Sequence, residues 1–384
     1  SDQTGPHPLG EAFLAAGERL GEPLNPDFNG ARQEGFGYYQ VTARNGLRCS
    51  TAVGYLRPAL SRPNLRVITG AHVHRLLFED GKAVGAEGTI GAQGFSFRSH
   101  ADIVLAAGTI NTPQLLQLSG VGPAGLLRRH GIPVVADSPE VGRNFQDHLQ
   151  VRHVFRSNTR FTINDDLSSL IGKLRVAWRF ARHRAGPLTV SAGYAGAFMR
   201  TRPDLSRPDI QLLLINFSNS QKTTALDPFS GFTISVCPLR PRSRGEVSIV
   251  SPMPHDHPAI RANFLADDDD RRVIVRGMRR IRALSGTPEL SALIDREILP
   301  GSQARDDEAL LAHARRNGST LYHASCTARM GSDPDAVVDS ALRVNGVRNL
   351  RIADASVMPR LVSGNTLAAT VMIGEKAADL VLAG

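Results

Sequence analysis

Tyr322-His323-Ala324-Ser325-Cys326-Thr327-Ala328-Arg329-Met330-Gly331, then Arg351-Ile352-Ala353-Asp354-Ala355-Ser356, then Ser363-Gly364-Asn365-Thr366, are the stretches whose reading decides the fold. Leu350-Arg351-Ile352-Ala353 reads as a short strand that ends in Asp354-Ala355-Ser356. Leu367 to Leu382 continues as an apolar run of helix length. Strand ends followed by a turn are where α/β folds bind ligands. Asn365 follows Gly364 and is placed to cap the helix. A histidine, a strand end and a helix start can therefore form one site, and a neutral imidazole accepts a proton near pH 7.

Working outward, residues 8–21 read as a helix closed by Gly21-Glu22-Pro23, and Asn25 to Gly46 reads as loop. Leu65–Ile68 and Val73–Phe78 read as strands, with Glu79-Asp80-Gly81-Lys82 as a hairpin turn. Ala101–Ala107 suits a buried strand, and Thr112–Leu118 a helix with Pro113 in its first turn. The middle changes character: β-like runs at 211–217 and 232–239, a helical interval at 170–184, and a helix at 267–284. Asp267 to Asp270 open that helix and Arg279, Arg280 and Arg282 lie near its end, as the macrodipole favours. No Gly-bearing carboxylate loop surrounds the four aspartates, so no metal site is assigned to them. The order implies an α/β layer made from residues near 64–125 and 342–384, with a second domain inserted between.

The chain has 384 residues, 41% hydrophobic and 21% charged, which suits two globular domains. No apolar run reaches membrane-spanning length. The net charge of +9 is carried almost wholly by arginines scattered along the chain. Aromatics are 5%, and basic clusters interleaved with them are lacking, so nucleic acid is not an expected partner. The three cysteines, Cys49, Cys237 and Cys326, are widely spaced without a C-x-x-C, which fits a reducing compartment and neither a disulfide framework nor a zinc site. The start, Ser1–Pro6, resembles neither a signal nor a transit peptide. The expected location is the cytoplasm, with peripheral attachment to the inner membrane as a variant.

Gly120-Val121-Gly122-Pro123-Ala124-Gly125 formally matches the dinucleotide fingerprint. The run before it reads as a helix, where the fingerprint needs a strand, so it is taken as a helix-ending turn.

Val104 to Pro123 resembles a signature of the glucose–methanol–choline (GMC) oxidoreductases, flavoproteins that oxidise alcohols. Val141-Gly142-Arg143-Asn144-Phe145-Gln146-Asp147-His148 is similar to a second motif of that family, and the His323, Asp354-Ala355, Met358-Pro359 and Gly364-Asn365 segments match its ending in order. The resemblance is nearest to the bacterial choline-dehydrogenase-like alcohol dehydrogenases. It implies an α/β fold: an FAD/NAD(P)-binding Rossmann-like domain (1–144 and 336–384) interleaved with an α+β substrate domain on an antiparallel sheet (145–335).

The same resemblance implies FAD as cofactor, a small-molecule alcohol as substrate, and oxygen or a quinone-type acceptor as final partner. It makes His323 the proton acceptor and Asn365 the group that holds the substrate oxygen. It sets Asp354 and Ala355 against the ribityl–pyrophosphate region, the backbone N–H groups of Thr366 and Leu367 at the flavin pyrimidine end, and Val73 at the adenine. His148 and His130 are expected to be structural or on the cofactor side. The family's usual glycine is Cys326 here, and Leu367-Ala368-Ala369-Thr370 replaces its usual Asn-Ala-Pro-Thr. The family's Gly-rich FAD-phosphate turn is not in these residues, which leaves the nucleotide domain incomplete and that segment expected on another chain or outside this one. A GMC-type lyase with structural flavin, or a non-catalytic fragment, are the alternatives.

Overall fold

The computed structural model describes residues 7–191, 193–221 and 225–383; Ser1–Pro6 and Lys222 lie outside them. The chain divides into two compact units. The first comprises the described residues of Ser1–Ala59, Leu149–Leu239 and Asp268–Thr320; the second comprises Leu60–His148, Arg240–Asp267 and Leu321–Gly384.

The first unit is built on an antiparallel sheet. Its order is Gly35–Tyr38, Ala195–Met199, Ile210–Ile215, Gly231–Pro238, Leu149–Ser157, Ile294–Leu299, with Ser319–Thr320 also pairing to Leu149–Ser157. Every residue of Gly231–Pro238 is buried, so both faces of the central strand are covered. The helix Asp268–Ser285 lies on it with Ile274, Met278 and Ile281 inward. Gly277 permits the approach: a Cβ there would stand 2.6 Å from Val236 Cγ2. Arg271 and Arg272 pair with Asp268 and Asp269 one turn earlier, so the aspartates serve the helix start as expected.

The second unit holds the α/β layer. Ile103–Leu105 and Leu350–Ile352 pair in parallel, residue for residue. Buried Arg351 closes this pair with its Nε 2.5 Å from Asp102 Oδ2. The helix Gly108–Leu118 follows the first strand and Leu367–Leu382 follows the second. A three-stranded meander, Ala71–Glu79, Lys82–Ile90 and Gln93–Arg98, stands beside them. Its first turn is the expected hairpin, with Asp80 and Gly81 both at positive φ (48° and 71°).

Several expectations need correction. The compact units depart from the boundaries 1–144, 145–335 and 336–384. Residues 7–59 join the large sheet because Gly35–Tyr38, read as loop, hydrogen-bonds Ala195–Met199. Residues 240–267 and 321–335 fall in the α/β unit instead. Leu65–Ile68 forms no strand; it pairs with no strand among the described residues, and Leu65, Val67 and Ile68 stay exposed. Val104, expected in a buried strand, is also exposed, since that strand is paired on one side only.

Pro113 is not in the first turn of its helix, which begins at Gly108. A proline inside a helix frees the carbonyl four residues back. That carbonyl is Thr109 O, and Thr327 Oγ1 donates to it at 2.7 Å. Gly120, at φ 85°, ends this helix as expected, but Val121–Gly122 then pairs in parallel with Ala136–Asp137, and Ala124 and Gly125 open the short helix Ala124–Arg129.

Candidate active site

All the parts of the proposed chemical centre lie in the second unit. Residues 146–148 run antiparallel to 321–325: Leu321 N donates to His148 O (2.9 Å), and Gln146 and Ser325 exchange backbone bonds. Between these contacts the chain bulges at Tyr322, whose φ is 62°. The bulge turns the N–H of His323 onto Asp147 Oδ1 at 2.9 Å. The Asn144–His148 motif thereby acquires physical roles. Gln146 accepts from Leu361 N at 3.2 Å, Asp147 satisfies the bulged amide, and His148 meets the next ring.

His323 Nδ1 and His148 Nδ1 are 2.9 Å apart, and Asn365 Nδ2 lies 3.1 Å from His323 Nε2. With the Asn365 amide donating, Nε2 carries a lone pair and Nδ1 carries the proton, which it donates to His148. His148 is wholly buried, so its ring holds this tautomer from behind. Burial of His323 pushes its pKa down to about 4, which keeps the ring neutral at physiological pH.

Of the two roles expected of Asn365, helix cap and substrate-side amide, the cap position itself falls to Thr366. The helix begins at Leu367 with Thr366 as its first flanking residue, and the Asn365 amide is directed to His323. The preceding turn is held by Arg240 Nη1 donating to Ser363 Oγ (3.1 Å) and Gly364 N to Val362 O (2.9 Å). Thr366 provides no side-chain cap and the first turn has no acidic residue. The positive end of a 16-residue helix thus opens next to the His323–Asn365 pair.

Asp354 is a clamp. Its carboxylate accepts from Gly108 N (2.9 Å), Thr112 Oγ1 (2.6 Å) and Ser356 N (2.8 Å), which joins the two strand ends to the helix Gly108–Leu118. Ala355 O accepts from Cys326 N at 3.1 Å, and Ser356 Oγ is buried with no hydrogen-bond partner among the described residues. Val73 is exposed on the separate meander.

Cys326 sits at φ 77°, in the left-handed region that suits the glycine it replaces. Its side chain is fully buried, and burial pushes the thiol up to about 11. It is an inert packed thiol. A thiol reagent is expected to modify half-buried Cys49 in the native protein and to reach buried Cys237 and Cys326 only after unfolding. Comparable rates for more than one native thiol would contradict this.

Sequence reasoning missed two features. The His148–His323 pair is separated by 175 residues, and no local pattern announces it. His72, His74 and His255 form a cluster that passed unremarked; the H-x-H spacing on a strand was its visible signal.

Comparisons with known proteins identify the family and the fold. Models of the GMC oxidoreductase family match residues 1–150 and 241–374. The chain is 39% identical to an alcohol dehydrogenase [acceptor] of Pseudomonas putida, over 100% of this chain and 70% of that protein. It is also 39% identical to a mitochondrial choline dehydrogenase of Mus musculus, over 98% of this chain and 63% of that protein. The chain thus spans just under two thirds of the mouse relative's length. A pyridoxine 4-oxidase from Mesorbium loti superposes with a TM-score of 0.86 at 29% identity, over 99% of this chain and 70% of that one. A variant of the Aspergillus oryzae formate oxidase superposes at 0.91 with 26% identity, over 98% and 70%. The chain belongs to the GMC oxidoreductase family.

The cofactor of this family is FAD, and the residues present fit its flavin end. An uncapped helix start would face the flavin pyrimidine, and an unpartnered Ser356 hydroxyl lies beside Ala355. No helix among the described residues is long and apolar enough to cross a membrane.

Proposed function

We propose that this chain carries the proton-accepting half of an FAD-dependent alcohol oxidoreductase, which converts a primary or secondary alcohol to an aldehyde or ketone. The observation that carries the reading is the 3.1 Å approach of Asn365 Nδ2 to a buried His323 Nε2 at the start of a helix. An alcohol hydroxyl that enters between them donates to Nε2 and accepts from Nδ2. His323 then takes the proton as the carbon loses its hydride. His148 accepts from Nδ1 and steadies the ring. FAD, when bound, supplies the acceptor for the hydride. Oxygen or a quinone-type acceptor would remove the electrons afterwards. Val73 is assigned to the adenine. The phosphate cradle is assigned to residues outside this chain, in the same protein or on a separate one, a reading supported by the share of the relatives that the chain spans.

Anaerobic mixing of the flavin-loaded protein with a panel of alcohols tests this. Bleaching of the flavin with stoichiometric aldehyde or ketone is the expected result. A flavin that stays oxidised while substrate is consumed would mark a lyase instead.

Attachment to a membrane surface is part of the same proposal. Along Leu170–His183, Leu170 and Ile171 are 72% exposed and Leu174 and Trp178 are 62% exposed. These four share one face of the helix, while Val176 packs inward. Lys173, Arg175, Arg179 and Arg182 flank them, all exposed. An apolar stripe edged by cations suits the interface of an anionic bilayer. The protein is expected to co-sediment with phosphatidylglycerol vesicles, and the double variant L174D/W178D to lose about tenfold in partitioning. Equal sedimentation of the two proteins would rule this surface out.

A further inference from the structure

Three imidazoles that the proposed chemistry does not use meet in the second unit. His72 and His74 are two residues apart on the strand Ala71–Glu79, so they project from the same face. His255 comes from the loop between the strands Glu246–Ser248 and Ala259–Arg261. Ring centroids are 4.6 Å apart for His72–His255 and 5.1 Å for each of the other two pairs. One ring nitrogen of each lies within 4.8 Å of the others.

Both ligand-bearing segments are fastened to one helix. Gln114 Nε2 in Gly108–Leu118 donates to Asp256 O at 2.9 Å and pins the loop. Ser251 Oγ, 2.5 Å from Asp256 Oδ2, accepts from Met253 N at 3.0 Å and braces the loop from within. Ser119 Oγ, just past the end of the same helix, accepts from Leu76 N at 2.8 Å and pins the strand. On the neighbouring strand Thr89 Oγ1 lies 3.3 Å from His74 Nε2, a partner that orients the ring. The cluster is thus held in place by bonds outside itself.

We propose that His72, His74 and His255 form a binding site for a divalent transition metal, with zinc as its first candidate. Three imidazoles without a carboxylate favour zinc, copper or nickel over magnesium or calcium. Zinc–nitrogen bonds of about 2.0–2.1 Å in a tetrahedron place ligand nitrogens about 3.3 Å apart. Rotation of the exposed His72 and His255 side chains closes the present gap. The Asp256 carboxylate is engaged by Ser251, so water fills the fourth position. A bound ion would staple the 249–258 loop to the strand that carries Val73.

The test is zinc titration of the tag-free, chelator-treated protein by calorimetry, with magnesium in parallel. About one equivalent of zinc is expected to bind with micromolar affinity, with no uptake of magnesium. His72→Ala and His255→Ala should each weaken binding at least about tenfold, and the exposed neighbour His257→Ala should not, since each lost imidazole removes one ligand of three. Metal-free melting curves of the variants that coincide with the parent's confirm that folding is intact. Weak uptake of several equivalents, or tight binding that survives His72→Ala and His255→Ala, would overturn the site.

Discussion

Replacing His323 by alanine is expected to slow the reduction of bound flavin by alcohol by about 10²–10⁴-fold, the usual contribution of a positioned general base. Substrate affinity should change far less, because Asn365 and the helix start remain. The argument rests on the lone pair at Nε2. Asn365 Nδ2 faces it at 3.1 Å, His148 holds the opposite nitrogen at 2.9 Å, and burial keeps the ring neutral. With a pKa of about 4 the base is already unprotonated across the neutral range. The parent's rate of flavin reduction should therefore be nearly flat between about pH 6 and 8. Anaerobic stopped-flow reduction measures both quantities. A variant that reduces its flavin at close to the parental rate would remove His323 from the chemistry, whatever it did to steady-state turnover.

The legible and illegible parts of this molecule divide along a physical line. Local pattern was enough wherever an element is stabilised by its own neighbours in sequence. The helix Asp268–Ser285 and the hairpin at Asp80-Gly81 fall where periodicity, charge and turn chemistry place them. Pattern failed where a distant partner decides. Gly35–Tyr38 reads as loop and becomes an edge strand only because Ala195–Met199 is there to receive it. Leu65–Ile68 has strand composition and no partner, and stays irregular. The site divides in the same way. His323 and Asn365 were reached through motif resemblance, and the structure brings them together. His148 could not be tied to His323 from the sequence, because the bulge at Tyr322 that aligns the two is a property of the paired segments. Asn365 looked like a cap because caps are local; a ring 42 residues earlier engages it instead.

Lowering the pH from 7.5 to 5 is expected to destabilise the protein by several kcal/mol, through histidines that fold buries in their neutral form. His323 and His313 both sit at about 4 against an ordinary 6.5, each chiefly because burial disfavours the charged ring. In the unfolded chain these rings take up protons near pH 6.5; in the folded protein they resist until about pH 4. Between the two values the unfolded state binds more protons. Stability therefore falls as the pH drops below about 6.5, and this loss is complete near 4. Each ring can contribute about 3 kcal/mol over the full window. His153 is displaced in the same direction by its burial and adds to the effect. Glu297, which pairs with His153 at 2.8 Å, lies below the ordinary carboxylate value of 4.5 despite its burial, held there by His153 and Arg282, so its contribution is lost only in stronger acid, below this range. Urea midpoints measured from pH 7.5 to 5 should show the decline. His313→Leu separates the contributions: it removes one titrating ring, and with it the partner of Asn317 Nδ2 at 3.1 Å. Whatever its midpoint at pH 7.5, its decline toward pH 5 should be visibly shallower than the parent's. A parent midpoint that holds steady down to pH 5 would mean that these rings are protonated in the folded protein as readily as in the unfolded chain, and the neutral-base reading of His323 would lose its electrostatic support.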